Sequence, residues 1–191
     1  YGRQAKVIIE ESRRKISTLL NTKPQEIFFT SGGTESNNWI LKQAIDSLSI
    51  TEIITTQIEH KSILSTLIYL KKRYKINITY LDVDSKGNIN LSQLKDFLSS
   101  KSNVLVSIMH ANNEIGNIND IDKIGKICKE FSAIFHSDTA QTMGHYKFDL
   151  NNNIIDSCIG TAHKFHGPRG IGFLYLKENI KISPLIHGGN Q

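Results

Sequence analysis

The sequence predicts an α/β protein with a three-layer α/β/α architecture, in which helices cover both faces of a mostly parallel sheet of about seven strands. Three observations support this fold class. Short apolar runs rich in β-branched residues alternate with segments of helical period. The runs are almost continuously apolar, as in strands that are buried on both faces. Polar and glycine-rich segments directly follow several runs, where an open α/β sheet binds its ligands.

The predicted elements follow one another in a regular order. Turn residues bound the strand candidates, and charged residues fill the outer positions of the helix candidates. Strands are predicted at 27–30, 53–57, 78–83, 104–110, 133–137, 157–161 and 171–176. Helices are predicted at 5–20, 62–74, 91–99 and 120–131, with a further helical run after Asn38. The polar stretch 149–154 predicts a loop, and neither a repeat nor a linker divides the chain.

Composition and charge exclude several protein classes. A chain of 191 residues, of which 39% are hydrophobic and 21% charged, has enough apolar side chains for the core of one soluble domain or a large part of one. No apolar run approaches the roughly 20 residues of a membrane span, and Tyr1 does not begin a secretory signal. Because residue 1 is not methionine, we expect a piece of a longer polypeptide. Cys128 and Cys158 form no metal-binding or disulfide pattern, which favours a reducing compartment.

The end of the first strand predicts an anion site. Residues 31–38 contain Gly32 and Gly33, which allow a sharp turn that exposes backbone N–H groups, and Thr34 adds a hydroxyl where a helix begins. Such N–H groups and the positive end of the helix dipole bind phosphate. In isolation, a plain glycine-rich turn with a threonine cap is the more common meaning of this pattern. The segment is neither a P-loop nor GxGxxG, so ATP and NAD are poorly supported.

A lysine between two histidines follows the sixth strand. In GTAHKFHGPRGIG, at 160–172, Lys164 lies at the predicted sheet edge near other ionisable groups, where an amine can act as a nucleophile toward carbonyls. The alternative is a surface lysine that extends into solvent. His163 and His166 lie close together without a third ligand candidate, so no metal site is expected.

Three further strand ends carry polar side chains, each with two interpretations. His60 follows the second strand, where it either covers the face of a ligand or caps the next helix. Asn112 and Asn113 follow the fourth strand, where they either contact a polar ligand or form an Asx turn. Asp138 follows the fifth strand, where its carboxylate either faces a ligand cation or caps the turn that follows.

One ligand, pyridoxal phosphate, explains these strand ends together. A lysine can bind its aldehyde, a carboxylate can keep its ring nitrogen protonated, an aromatic side chain can stack on its ring, and a glycine-rich helix start can bind its phosphate. Lys164, Asp138, His60 and the segment 32–34 supply these groups.

The chain resembles the cysteine desulfurases of the NifS/IscS type, in the class V aminotransferase group of fold-type I pyridoxal-phosphate enzymes. The resemblance is carried by FFTSGGTESNN at 28–38, EHKSI at 59–63, SIMHANNEIG at 107–116, HSDTAQ at 136–141, GTAHKFHGPRGIGFLYL at 160–176 and HGGNQ at 187–191. These stretches follow the order of the family across nearly the whole chain. NNEIG together with TSGGTES is typical of the NifS/IscS branch.

The resemblance implies catalytic and ring-binding roles for five residues. Lys164 would be the internal-aldimine lysine and a general acid–base catalyst. His60 would stack on the cofactor ring and assist proton transfer. Asp138 would pair with the pyridinium nitrogen, and Gln141 would hydrogen-bond the phenolic oxygen. Asn113 would contact both cofactor and substrate, near the substrate carboxylate.

The resemblance also implies a phosphate site. Thr34 and the backbone of Gly33 would hold the phosphate, with help from Thr161 and His163. Thr161 stands where serine is common in the family, so the hydroxyl is retained. Asn190 stands where glycine is common.

The implied reaction removes sulfur from L-cysteine, giving L-alanine and an enzyme persulfide for iron–sulfur cluster assembly or tRNA thiolation. Family members are homodimers of about twice this length. We therefore expect residues 1–191 to be most of the large domain that binds pyridoxal phosphate, without an N-terminal segment and a C-terminal small domain. Neither Cys128 nor Cys158 occupies the place of the nucleophilic cysteine. The partner would be a scaffold or tRNA-thiolation sulfur acceptor in the bacterial cytoplasm, or in the mitochondrial matrix of a eukaryote, with no membrane contact.

Two other functions remain open. A transaminase or lyase of the same group would share the fold and the cofactor but differ in chemistry. A basic nucleic-acid-binding module would explain the net charge of +5 and the basic cluster at 71–75. That cluster lies at a predicted helix end, where cations complement the dipole, and the other basic residues lack interleaved aromatic side chains. No direct nucleic-acid partner is therefore expected.

Overall fold

The computed structural model describes residues 2–152 and 154–188 and contains the predicted alternation of strands and helices. The strands are β1 (Ile27–Thr30), β2 (Glu52–Thr56), β3 (Asn77–Leu81), β4 (Val104–Ser107), β5 (Ile134–Ser137), β6 (Ser157–Thr161) and β7 (Gly172–Leu176). The α-helices are α1 (Gly2–Leu19), α2 (Gly33–Asp46), α3 (Lys61–Arg73), α4 (Leu91–Ser99) and α5 (Ile121–Glu130). None of the helices in the described ranges could cross a membrane, being too short or too polar.

The sheet brings most strand ends to one edge. Its strand order is β1-β7-β6-β5-β4-β2-β3, and neighbouring strands are parallel except where β7 pairs with β1 and β6. β7 therefore runs against six strands that share one direction. The carboxyl ends of β1, β2, β4, β5 and β6 meet at the edge where α/β sheets bind ligands.

Two apolar cores lie on opposite faces of the sheet. One core contains Ile40 of α2 together with residues of α3, and the other contains Leu94 of α4 together with residues of α5. Ile53 and Ile54 are consecutive in β2 but belong to different cores, because successive side chains of a strand point to opposite faces. The three-layer α/β/α arrangement and the mostly parallel sheet are thus confirmed.

Two strands differ from their predicted form. β3 lies at the sheet edge and pairs only with β2, so its first four residues are exposed or half-buried rather than fully buried. The fourth strand ends at Ser107 instead of His110. After Ser107 the chain continues as an irregular segment, in which the N–H groups of Ile108 and His110 donate to the carbonyl oxygens of His136 and Asp138.

Both cysteines are free and buried in the core. Cys128 packs on the apolar face of α5, and Cys158 lies in β6. Burial raises the pKa of the Cys158 thiol to about 12 and raises the pKa of the Cys128 thiol still further. Both thiols are therefore neutral at physiological pH.

Candidate active site

A cavity of about 230 Å³ lies at the carboxyl edge of the sheet. All the residues predicted for the site line it, namely Gly33, Thr34, His60, Asn113, Asp138, Gln141, Thr161, His163 and Lys164. The lining is completed by Asn37, Ser62, Met109, Ala140 and Ile159. A larger cleft of about 590 Å³ lies among residues 21–26, 150–151 and 175–179, and no predicted site residue lines it. The smaller cavity is therefore the candidate site, because the reactive side chains converge there.

The start of α2 forms one wall of this cavity. Gly32 precedes the helix with a φ of +148°, which favours glycine, and no side chain caps the first N–H groups. A Cβ on Gly33 would lie only 2.8 Å from Ile159 Cδ1, so the backbone approaches β6 closely. Across the wall, Thr161 Oγ1 lies 3.3 Å from His163 Nδ1. Backbone N–H groups, the helix dipole and these polar atoms together suit an anion such as phosphate.

Asp138 is buried, and both of its oxygens accept a hydrogen bond. The backbone N–H of Ala140 donates to Oδ1 at 3.0 Å, which is the local turn expected as the alternative interpretation. Asn37 Nδ2 donates to Oδ2 at 2.8 Å. The two donors fix the carboxylate in one orientation at the cavity wall, where it can bind a ligand cation.

His60 both caps α3 and lines the cavity, so its two interpretations are compatible. Its Nδ1 accepts from the backbone N–H of Ser62 at 3.1 Å and lies 2.8 Å from Ser62 Oγ. Nε2 makes no hydrogen bond with the described part of the chain. One edge of the imidazole is thus fixed, and the other remains available to a ligand.

Asn37 lines the cavity and His136 contacts Asn37, although the stretches 28–38 and 136–141 that contain them predicted no role for either residue. Asn37 Nδ2 donates to Ser62 Oγ at 2.8 Å as well as to Asp138. Asn37 Oδ1 lies 3.1 Å from His136 Nε2, and His136 Nδ1 lies 3.1 Å from Ser157 Oγ. Burial lowers the pKa of His136 to about 3, so this ring is neutral. The available signal was spacing, since Asn37 lies one helical turn after Gly33.

Glu59 is a third residue for which the sequence predicted no role, although it lies in the stretch EHKSI at 59–63. Its carboxyl is buried beside the cavity, and Oε1 accepts from Thr56 Oγ1 at 2.9 Å and from the N–H of Met109 at 3.1 Å. Oε2 has no hydrogen-bond partner within residues 2–152 and 154–188. Burial raises the pKa of Glu59 to about 8, and the negative charge of Asp138 contributes to this rise. The carboxyl is therefore mostly protonated at neutral pH.

Asn112 and Asn113, which follow the fourth strand, lie in different environments. Asn112 Oδ1 accepts from the N–H groups of Glu114 and Ile115 at 2.8 and 3.1 Å, which forms the predicted Asx turn. Asn112 Nδ2 donates to the carbonyl of Ile58 at 2.7 Å and so ties this turn to the loop that carries His60. Asn113 lines the cavity instead.

Lys164 ends the 3₁₀ turn Ala162–Lys164, directly after β6. The residue is exposed yet lines the cavity. His145 Nε2 donates to the carbonyl oxygen of Lys164 at 2.7 Å, and the N–H of Gly167 donates to the carbonyl of Ala162 at 2.8 Å. These bonds fix the backbone of the turn, and neither of them involves the ε-amine.

Two further features concern a possible metal site and the basic cluster at 71–75. Within the described ranges, no three His, Cys, Asp or Glu side chains lie close enough together to bind a metal ion. The basic cluster at 71–75 lies at the end of α3, and its charged residues are exposed. This position matches the expected solvated helix end.

Comparison with known proteins identifies the family. The profile of the class V aminotransferases matches residues 1–191. The chain belongs to the class V aminotransferase family. It is 45% identical over 193 residues to the cysteine desulfurase IscS of Dictyoglomus turgidum, an alignment that covers 100% of this chain and 48% of the relative.

Solved structures place this class V chain beside the NifS-like proteins. A NifS-like protein has a TM-score of 0.93 at 40% identity, covering 100% of this chain and 53% of that one. SspA, solved in complex with cysteine, has a TM-score of 0.92 at 36% identity, covering 100% and 55%. The predicted resemblance is thus confirmed, and the chain spans about half the length of the curated relatives it matches. Asn190, where the sequence departs from the family, lies outside the described residues.

Proposed function

We propose that the protein containing this chain is a cysteine desulfurase that uses pyridoxal phosphate. It would remove sulfur from L-cysteine and produce L-alanine and an enzyme persulfide. The observation that carries the proposal is one cavity in which an amine, a carboxylate, an imidazole and a helix N-terminus meet. The relative named cysteine desulfurase and the related structure solved with cysteine support this reaction and this substrate.

The residues around the cavity fit pyridoxal phosphate. Lys164 offers an amine to its aldehyde, and Asp138 offers a buried, oriented carboxylate to its ring nitrogen. The start of α2 offers N–H groups to its phosphate, where Gly33 leaves no side chain in the way. When bound, the cofactor supplies an electron sink beside the α-carbon of the substrate.

Other lining residues would complete the binding site. Gln141 would donate to the phenolic oxygen of the ring. Thr34, Thr161 and His163 would contact the phosphate together with the backbone of α2. Asn113, presented by the Asx turn, would contact the substrate near its carboxylate.

Three side chains would transfer or stabilise protons during the reaction. Lys164 would act as general base toward the α-carbon proton of the substrate and would return a proton as general acid. His60 would cover the ring face and assist through Nε2, since its Nδ1 already bonds Ser62. Asp138, held by two donors, would stabilise a proton on the ring nitrogen.

The sulfur acceptor of the reaction would lie outside this chain. A nucleophilic cysteine must be accessible as a thiolate, whereas Cys128 and Cys158 are buried and have raised pKa values. We propose that residues 1–191 form most of the large domain. The remainder of the protein would supply the nucleophile, an N-terminal segment and a small domain.

The family resemblance also supports proposals about partners. The protein would act as a homodimer and pass its sulfur to an iron–sulfur scaffold or a tRNA-thiolation protein. It would work in the bacterial cytoplasm, or in the mitochondrial matrix if the source is eukaryotic.

Borohydride reduction of the full-length protein with pyridoxal phosphate, followed by peptide mapping, tests the site. We expect the pyridoxyl label on Lys164, and a label elsewhere or none would contradict the proposal. A parallel assay with L-cysteine and a thiol reductant should yield alanine and sulfide in equal amounts. Production of a keto acid instead would favour a transaminase on the same scaffold.

A further inference from the structure

We propose that Asn37 is a positioning residue that couples Asp138 to His60, by donating to the carboxylate of the first and to the serine hydroxyl that contacts the second. The inference rests on the proposed function for the ligand that these two side chains would meet. The coupling itself is present in the chain without that ligand.

Asn37 joins three segments that are distant in the sequence. It lies on α2 and is 1% exposed, so it must find its hydrogen bonds within the protein. One N–H of its amide donates to Asp138 after β5, and the other donates to Ser62 in the first turn of α3. Its oxygen faces His136 Nε2. Both donors and the acceptor are thus engaged, so the amide has one stable orientation.

The partner groups fix the direction of every bond. A flipped amide would place its oxygen against the Asp138 carboxylate, where two acceptors would repel each other. The unflipped amide presents Oδ1 to His136, so His136 must carry its proton on Nε2. His136 Nδ1 is then an acceptor for the Ser157 hydroxyl at 3.1 Å. Because burial keeps His136 neutral, this arrangement does not change near neutral pH.

The same logic determines the tautomer of His60. The backbone N–H of Ser62 donates to His60 Nδ1, so this nitrogen carries no proton when the ring is neutral. Ser62 Oγ accepts from Asn37, and its own hydrogen can therefore also point to His60 Nδ1 at 2.8 Å. The proton of neutral His60 is then on Nε2, the nitrogen without a protein partner in the described ranges.

A change at the Asn37 amide should therefore affect both the Asp138 carboxylate and the His60 imidazole. Removing the Asn37 donors leaves Asp138 Oδ2 and Ser62 Oγ each without one hydrogen bond. Asp138 then loses part of its orientation, and the Ser62 hydroxyl beside His60 Nδ1 is free to turn away from the ring. A mutation that removes the Ser62 hydroxyl breaks the connection between Asn37 and His60 but leaves the hydrogen bond from Asn37 to Asp138.

The first test uses the cofactor-free, full-length protein and long-range ¹H–¹⁵N NMR of the His60 ring. We expect the Nε2–H tautomer in wild type and a changed Nδ1 chemical shift in Asn37→Leu, because the Ser62 hydroxyl that lies 2.8 Å from Nδ1 loses the donor that orients it. Gln43→Leu is the matched control, because Gln43 is a buried amide on the same helix, and its side chain bonds Ser47 in the described part of the chain. A His60 spectrum in Asn37→Leu that matches the control overturns the proposal.

The second test adds pyridoxal phosphate and measures its dissociation constant and the pH midpoint of its absorption band. We expect roughly tenfold weaker binding and a shifted midpoint in Asn37→Leu, consistent with the loss of a hydrogen bond to a charged group. Ser62→Ala should alter the His60 spectrum and shift the midpoint less than Asn37→Leu does, because Asp138 keeps both of its donors. If Asn37→Leu changes only one of the two readouts, the coupling is refuted.

A third variant keeps the proposal testable if Asn37→Leu does not fold. Asn37→Asp is nearly isosteric, removes both amide N–H donors and brings a second carboxyl group to Asp138, so it should also change both readouts. Failure of wild type to bind the cofactor at all would refute the proposed function. The NMR experiment would still decide the Asn37 coupling, because it needs no cofactor.

Discussion

Gly172, the first residue of β7, packs directly against Gly32, the residue before α2. A Cβ on Gly172 would lie 2.7 Å from the Gly32 Cα and 2.5 Å from the carbonyl oxygen of Gly160. The backbones of β6, β7 and the turn before α2 thus meet with no room for a side chain. The position of that turn depends on this contact.

Gly172→Ala should therefore destabilise the protein and weaken phosphate binding. Overpacking of this kind costs about 1–3 kcal/mol, and here the neighbours are backbone atoms that cannot rotate away. Urea unfolding measures the stability, and titration with pyridoxal phosphate measures the binding. Gly188→Ala is the control, since a Cβ there would meet nothing within 4 Å. Equal stability of the two variants would contradict the packing argument.

Lys164→Ala should abolish covalent attachment of the cofactor and lower desulfurase activity of the full-length protein by at least about 10²–10⁴-fold, the usual contribution of a general acid–base group. Absorption spectra and alanine production measure these effects. Lys181→Ala, at an exposed lysine that does not line the cavity, should behave as wild type. Normal turnover by Lys164→Ala would exclude this lysine from the chemistry.

Glu59 should make the protein less stable as the pH rises. Its pKa of about 8 in the folded state exceeds the ordinary value of 4.5, so folding favours the protonated form. The stabilisation is complete below pH 4.5 and is lost as the pH rises through 8. Glu59→Gln cannot ionise, so its unfolding free energy relative to wild type should increase between pH 5 and pH 9.

Glu26→Gln provides the control for this pH dependence. Burial opposes ionisation of Glu26, but hydrogen bonds from Thr22, Lys23 and Glu178 outweigh it and lower the pKa of Glu26 below 4.5. Its contribution therefore does not change between pH 5 and pH 9. If urea unfolding shows the same pH dependence for Glu59→Gln and Glu26→Gln, the protonated state assigned to Glu59 is wrong.

The double variant Cys128→Ala and Cys158→Ala should keep its desulfurase activity while losing stability. Both thiols are buried in the core, so each replacement removes packing contacts and costs about 1 kcal/mol. Alanine production per folded full-length protein should stay within about twofold of wild type. A loss of more than about tenfold, with the fold intact by circular dichroism, would place the sulfur nucleophile within this chain.

The strand ends could be predicted because each combines a local apolar run with a local polar signal. Gly33, Lys164 and Asp138 all follow such runs, and parallel strands bring these positions to one edge. The edge position of β3 could not be predicted, because exposure there depends on strand order. Strand order is set by pairings between distant segments, which no local pattern records.

Asn37 shows why other residues of the site could not be predicted from the sequence. It is adjacent to Asn38 in the same helix, and the two residues look alike in the sequence. Asn38 bonds the carbonyl of Thr34 within its own helix, whereas Asn37 reaches Asp138 and His136, 101 and 99 residues away. Glu59 is similar, since only the tertiary contact with Met109 reveals that its carboxyl is buried.

The place of β7 in the sheet has a consequence for biosynthesis. β1 is the first of the seven described strands to be made, yet its only neighbour in the described sheet is β7, which is made after the other six. At about 5–20 residues per second, the first strand waits on the order of ten seconds for its partner. During that interval β1 lacks its pairing with β7. Under the proposed function, pyridoxal phosphate would bind only after residues 172–176 have been translated.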